Sequence, residues 1–533
     1  MELKDRETWL GRLQSIRVSR RQLMKAATVA GATAAISMLG ARRTMGGEVG
    51  ESQVVMGYGV SLVQLDPHKN ENMVHESVLR NMYECLVTFS QDLKSSEPQL
   101  ATGWKQLNDL TVQFKLRQNV KFHNGEDFDA EAVKFSLNRM LDPQTRAPLL
   151  SMYNTIDRVD VLDKYTVNIS TKKADPVILR RLSGICTIIV PPKYFSMAKP
   201  EELATRPVGT GPYKFVSWAK DADLVMEANP NYWGGAPPIK KVIVRSIPET
   251  GTRVAALLAG DVDIIPAVPP DDIDRINRSG KARVVTIPGN RVVFYFMDSG
   301  KKPTDNKLVR QAINYAANID AIIKTILGGR GYRRATLLNP WHVGYDPEIK
   351  PFPYDPEKAK ALLREAGYPN GVEVNLHQVQ GRVPKDKEVG EGIAGELGKV
   401  GIKVNLKLMD WGTSFTQASA GKLDGLKFGS WGNIMQDADL SFYGQYHSST
   451  IYSKFFRSYQ NPKLDSLMEE ARSILDVGKR TSLYSQVQKI LMDDCPDLYC
   501  YAIEDVYGIN NRVEWKPRTD EYVFYKDMVL VKR

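Results

Sequence analysis

The chain has 533 residues, 42% of them hydrophobic and 25% charged, with a formal net charge of +10. That length exceeds what a single hydrophobic core supports, so two or three compact units are expected. The first 50 residues hold nine basic and four acidic side chains, which leaves +5 for the rest, too dilute for a nucleic-acid footprint.

The N-terminal stretch Ser19-Arg20-Arg21-Gln22-Leu23-Met24-Lys25 precedes a weakly apolar, Ala/Gly/Thr-rich run from Ala26 to Gly40. It resembles a twin-arginine export signal, in which a receptor reads the arginine pair. The run is too short and glycine-rich for a comfortable membrane span of about 20 apolar residues. Leu39-Gly40-Ala41 is a poor cleavage site, and cleavage is placed near residues 41–48. The expected location is the periplasm, with retention at the inner membrane if the signal stays on. No cysteine follows the run, which argues against a lipid anchor.

Further along, short strands alternate with capped helices, the pattern of a mixed α/β protein. In Thr111–Leu116, Val112, Phe114 and Leu116 share one strand face. An Asn124-Gly125 turn follows, then Asp129 as a helix N-cap, with Phe128 and Val133 placed as a hydrophobic staple. A second helix reads Asp355-Pro356 through Gly367: cap, first-turn proline, and left-handed stop. Pro191-Pro192, Pro207 to Pro212, Pro237-Pro238 and Pro266 to Pro270 are candidate crossings between subdomains.

Metal spacing is absent: no C-x-x-C occurs, and the six histidines are scattered. No cofactor is expected. Cys495 and Cys500 are near enough in sequence to pair in an oxidising compartment, and that pairing is left open. An exported hydrolase would need a nucleophile elbow G-x-S-x-G, which the chain lacks, so no enzymatic activity is expected.

Several segments then carry a family resemblance. They are Leu65–His68, Met82–Val87, Leu100–Trp104, Leu110–Arg117, Val120–Gly125, Val208–Phe215, Asn229–Gly234, Leu308–Ala316 and Lys358–Tyr368. In order and spacing the chain resembles the large family 5 solute-binding proteins that serve dipeptide, oligopeptide and nickel ABC importers. The resemblance implies a two-lobed α/β periplasmic-binding-protein clamp, type II-like, of three domains with a discontinuous first lobe. The implied boundaries are 1–50 for the signal and linker, 51–90, 208–291 and 504–533 for lobe 1, 91–207 for its inserted domain, and 292–503 for lobe 2. Residues near 291 and 504 are then the hinge strands.

The same resemblance implies a monomeric receptor that closes over a small-molecule solute and delivers it to an inner-membrane ABC permease complex. The twin-arginine machinery is its export partner. Asp410-Trp411 and Ser430-Trp431 match tryptophans that line the solute cavity in peptide-binding relatives. Those relatives carry an aspartate three residues after the second tryptophan, paired with the peptide α-ammonium. Ile434 stands there, and Phe428 stands where some relatives have arginine. An isoleucine cannot neutralise a buried ammonium. The expected ligand is therefore not a simple free peptide but one of apolar or ring character: a modified peptide, an opine-like or glycosidic compound, or a metal chelate. The alternative is a conventional peptide receptor whose amine anchor has moved to Glu84, Asp437 or Asp439.

Tyr83 and Glu84 are expected to face the cleft from lobe 1, and Phe294, Phe296 and Asp298 from lobe 2, with Tyr295 turned to the opposite face of its strand. Arg310 and Asn314 read as ties to a neighbouring loop, and His123 as a turn-stabilising side chain. Gly209 and Gly211 read as tight turns in a polar or ligand-facing loop. A chaperone or signalling receptor using the same clamp is a third function class.

Overall fold

The computed structural model describes residues 52–531 apart from 71–72, 149, 185 and 220–222. The twin-arginine segment and residues 1–51 lie outside the described residues. Among the described residues no helix is long and apolar enough to cross a membrane.

The central element is one antiparallel strand pair, Ala282–Met297 against Asp497–Asn510. Both strands are long because each serves two halves of the molecule. Register runs unbroken from Ala282↔Asn510 to Pro288↔Glu504, breaks, and resumes at Val292↔Ala502. Gly289 sits in the break, where a Cβ would lie 2.7 Å from the Ile503 carbonyl oxygen, so the strands could not approach with any other residue there.

An eleven-stranded sheet is built outward from this pair. On one side come Leu426–Gly432, Val372–Val379 and Ile402–Met409; on the other come Ile264–Pro266, Gln53–Tyr58, Lys241–Ser246, Leu224–Ala228 and Tyr213–Ser217. Gly331–Arg333 adds to the edge of Asp497–Asn510. A separate antiparallel sheet has the order Ala101–Asn108, Thr111–Leu116, Thr166–Thr171, Ile156–Asp163.

Apolar burial follows these sheets. One core joins Val54 and Met56 to Tyr213, Leu224, Val242, Ile264, Ile509 and Tyr525, and so draws on widely separated stretches of chain. A second belongs to the four-stranded sheet, where Val112, Phe114 and Leu116 are all buried. Two more lie on opposite faces of the other half: Tyr295 and Phe428 belong to one, Phe294 and Phe296 to the other. Strand alternation therefore separates Tyr295 from its two neighbours.

Local capping follows from sequence. Asp129 accepts from the backbone N–H of Glu131 and Ala132 to start Ala130–Leu141. Asp355 accepts from Lys358 to start Pro356–Glu365, and Gly367 closes the turn at φ +90°. Gly209 and Gly211 serve another purpose than the expected ligand-facing turn. Their Cα hydrogens face the backbone of Met82 and Tyr83, and a Cβ on Gly209 would lie 2.2 Å from the Met82 carbonyl oxygen. All four cysteines are free and buried, so Cys495 and Cys500 do not pair.

Candidate functional site

A cavity of about 960 Å³ opens beside the register break. One wall is aromatic. Phe294 and Phe296 point into it from the long strand, with ring centroids 4.8 Å apart. Phe296 stacks on Tyr452 at 6.1 Å with the planes 1° apart, and Trp431 meets Tyr452 edge-on at 6.0 Å. Trp411 and Phe415, one helical turn apart on Trp411–Ser419, complete the wall with centroids 5.9 Å apart. The Trp431 indole N–H donates to Ser441 Oγ at 3.2 Å, which fixes its ring. The opposite side is lined by Tyr58, Val60, Met73, Pro266, Val268 and Val523.

Five of the ten sequence-selected residues line this space: Trp411, Trp431, Phe294, Phe296 and Ile434. Ile434 also packs against the core of the four-stranded sheet. The other five lie outside the lining, each for a definable reason. Glu84 is a buried staple: Oε2 accepts from Thr210 Oγ1 at 2.8 Å and Trp233 Nε1 at 2.9 Å, and Oε1 accepts from Tyr232 OH at 2.7 Å. It joins the Met82–Val87, Val208–Phe215 and Asn229–Gly234 segments, and burial pushes its carboxyl above the usual range. The Tyr83 hydroxyl accepts from the Val208 N–H at 3.1 Å in the first core.

Asp298 is buried with Lys427 at 3.5 Å and accepts from the Gly300 N–H at 3.0 Å. Phe428 packs edge-on against Tyr295, 5.9 Å between centroids, on the far side of the strand. Asp437 caps Ala438–Tyr446 and pairs with Arg480 at 2.7 Å. Asp439 is held by Arg181 at 2.9 Å and by Arg472 at 2.8 Å. The three carboxylates named as a relocated amine anchor are thus all committed elsewhere.

Arg310 donates to the carbonyls of Asp494, Cys495, Thr304 and Asp305, which makes it the loop tie the sequence suggested. His123 Nε2 lies 2.9 Å from the Gly211 carbonyl oxygen, and burial lowers its pKa to about 4.

The polar lining is what sequence reasoning missed. Arg291, Arg382, Gln445, Ser430, Asp505 and Glu521 all face the cavity. The Arg382 guanidinium lies over the Trp411 ring at 4.8 Å. Among the described residues neither the Arg291 nor the Arg382 side chain makes a hydrogen bond or an ion pair. Ser430 Oγ, Gln445 Nε2 and Asp505 Oδ2 are buried without hydrogen-bond partners. Other charges nearby are spent: Glu504 pairs with Arg330 at 2.9 Å, and Arg253 donates to the carbonyls of Ile247 and Pro248. A register break at 289–291 beside an alternating strand gives no local sign that Arg291 and Asp505 meet at one cavity. Such an array suits reversible capture of a small molecule with an apolar body and polar ends.

Two sheets' worth of structure on either side of a shared strand pair, with a large lined cavity at the pair, define a two-lobed solute-binding protein. Residues 96–453 match the family described as bacterial extracellular solute-binding proteins, family 5 Middle, and the chain belongs to that family. It is 32% identical over 451 residues to heme-binding protein A of Haemophilus influenzae, covering 80% of this chain and 82% of that one. It is 29% identical over 466 residues to the glutathione-binding protein GsiB of Pectobacterium atrosepticum, covering 86% and 90%. The fold is also similar to the periplasmic binding protein DppA of Helicobacter pylori in complex with the peptide STSA. That match has a TM-score of 0.77 and 28% identity, and it covers 90% of this chain and 98% of that one. The chain is accordingly a substrate-binding component of ABC import, and its mixed α/β two-lobed fold is the family's.

Proposed function

We propose that the protein captures one small solute in the 960 Å³ cavity by closing its two lobes, and presents the closed form to an inner-membrane permease. The observation that carries this reading is the pairing of a continuous aromatic wall with two guanidiniums that make no hydrogen bond or ion pair among the described residues. An anionic group on the solute can take charge-assisted hydrogen bonds from both. The ligand therefore carries an anionic group on a body of substantial apolar or ring character.

Relatives are named for heme, glutathione or peptide binding, so the family's cavity accommodates varied solutes. A simple peptide held by its α-ammonium is disfavoured, because Ile434 occupies the cavity lining at the position where peptide receptors place the anchoring aspartate. The break at Gly289 and Ile503 is the hinge, and ligand contacts from both lobes stabilise the closed state over the open one. Export through the twin-arginine route to the periplasm, as a monomer, completes the reading.

The test is mass spectrometry of the small molecule that co-purifies with protein recovered from its native compartment, with solution scattering before and after ligand is added back. A ring-bearing compound that carries an anionic group and shrinks the radius of gyration is the expected result. Turnover of that compound, or an unchanged scattering profile at saturation, counts against a capture-only clamp.

A further inference from the structure

The cavity is not uniformly basic. Asp505, on the long strand Asp497–Asn510, and Glu521, in the C-terminal stretch, line it alongside Arg291 and Arg382. Asp505 Oδ2 is buried and has no hydrogen-bond partner, although two cations line the same cavity. Glu521 makes no side-chain hydrogen bond or ion pair among the described residues. A folded protein rarely leaves a carboxylate oxygen buried and unpaired, because such a group costs more than the contacts around it return. The orphan oxygen implies a partner that arrives from outside.

We infer that Asp505 and Glu521 form a subsite for a cationic group of the solute, adjoining the anion subsite of Arg291 and Arg382. This rests on the receptor reading above and narrows its ligand to a zwitterion. Burial and the nearby charge of Glu521 push the Asp505 carboxyl up, against the pull of Arg291, the expected condition of a carboxylate waiting for a cation. The other groups that reach Asp505 electrostatically do not supply one: Glu504 is an acid already paired with Arg330, and Tyr507 is neutral.

The arrangement also bears on how the ligand's charges are spaced. Asp505 pairs in register with Ile287, next to the break at 289–291 that holds Arg291, and both side chains line the cavity, so an acid and a base subsite adjoin there. An extended tripeptide separates its termini by about 10 Å at about 3.5 Å per residue. The adjoining subsites instead suit an ammonium and a carboxylate borne close together, as in an α-amino-acid head group, with the apolar body against Trp431 and Phe296.

The experiment uses the full mature chain and a small-molecule extract of the source cells and their medium. The extract is split on a strong cation-exchange resin loaded in acid, where carboxyl groups are neutral and amines remain charged. Each fraction is assayed for thermal stabilisation of the protein. Stabilising activity in the retained fraction is the expected result. It should require at least about tenfold more extract when Asp505→Asn and Glu521→Gln are combined, whereas the unliganded variant melts at or above the parent, since an unpaired carboxylate has been removed.

Activity confined to the flow-through overturns the cation subsite and leaves the receptor reading intact. Stabilisation by neither fraction overturns both. An undiminished response of the double variant, or a lower melting point of that variant without ligand, assigns the two acids a structural role and overturns the subsite.

Discussion

Arg181 Nη2 donates to Asp439 Oδ2 at 2.9 Å, 258 residues on in the chain, and both side chains are almost fully buried. Arg181 belongs to the short helix Ile178–Arg181 beside the four-stranded sheet, where its Nε also binds Asp175 at 2.8 Å. Asp439 lies on Ala438–Tyr446, just beyond the Trp431-to-Ile434 edge of the cavity. Arg180 adds donations to the Met435 and Gln436 carbonyls at 3.2 and 3.3 Å. Under the lobe closure proposed above, a contact of this kind exists only while the lobes touch and therefore favours the closed state.

Removing it is expected to shift the protein toward the open form. In Asp439→Asn, Arg181 keeps Asp175, so folding survives, while the closed state loses a charge-assisted bond worth about 1.5–3 kcal/mol. Solution scattering of the unliganded variant should give a larger radius of gyration, with ligand affinity down by roughly tenfold. A variant with parental scattering and affinity would show that the pair plays no part in closure.

Trp431→Ala is expected to weaken ligand binding by about 2 kcal/mol or more, the cost of truncating a central aromatic contact. The indole is held by Ser441 and by its edge contact with Tyr452, so it is placed before ligand arrives. Calorimetric titration with the recovered ligand measures the loss directly. A change within a few tenths of a kcal/mol would reassign Trp431 to packing.

How far the chain could be read in advance depended on the distance over which each feature is encoded. Asp129 and Asp355 were legible as caps because the N–H groups they accept from lie two or three residues on. Tyr295 was legible as facing away from Phe294 and Phe296 because strand alternation is local. Carboxylates were not legible in the same way. Glu84 takes its donors from residues 126 to 149 positions away, and Asp437 pairs with Arg480 43 positions on. Nothing near either residue distinguishes a ligand anchor from an internal staple. Asp505 and Glu521 carry no local motif at all, and only the return of the C-terminal stretch to the long strand pair brings them to one cavity.

Glu84 offers a test of that distinction. Glu84→Gln replaces an acceptor facing three donors by a group that is itself half donor, at a cost of about 1–3 kcal/mol in stability. Denaturant unfolding should register the loss, while ligand affinity of the folded variant stays at the parental value. Impaired binding by a variant of undiminished stability would return Glu84 to the ligand site.

The export reading concerns residues outside the described structure and is tested in cells. Replacing Arg20 and Arg21 together by lysine is expected to strand the precursor in the cytoplasm, because the receptor reads the arginine pair itself. Fractionation followed by immunoblotting distinguishes the outcomes, and normal export of the double variant would exclude the twin-arginine route.

Acid stability follows from three histidines that are held neutral. Burial lowers the pKa of His68 to about 4, His123 to about 4 and His342 to about 3. Each is built into a polar contact: His68 Nε2 with the Ile188 carbonyl at 2.8 Å, His123 with Gly211 at 2.9 Å, and His342 with Asn290 Oδ1 at 2.9 Å. In the unfolded chain the same imidazoles titrate near about 6.5. Between that value and about 4 the unfolded state therefore binds more protons than the native one, and stability falls as pH falls. Each group contributes up to about 1.4 kcal/mol per pH unit inside the window. Glu76, raised to about 7 by burial, acts in the opposite sense, since its native carboxyl holds a proton that the unfolded one has lost. Its contribution grows on acidification from about 7 to about 4.5 and offsets roughly one histidine. Glu84, Asp497 and Asp505, also raised by burial, act with Glu76, while His75 and His377, also lowered by burial, act with the three histidines, so a single-residue variant isolates the imidazole contribution. Denaturant unfolding between about pH 6 and pH 4.5 measures the slope, and His342→Asn should reduce the histidine contribution by about one proton. A slope untouched by His342→Asn would mean that this imidazole is not held neutral in the native state.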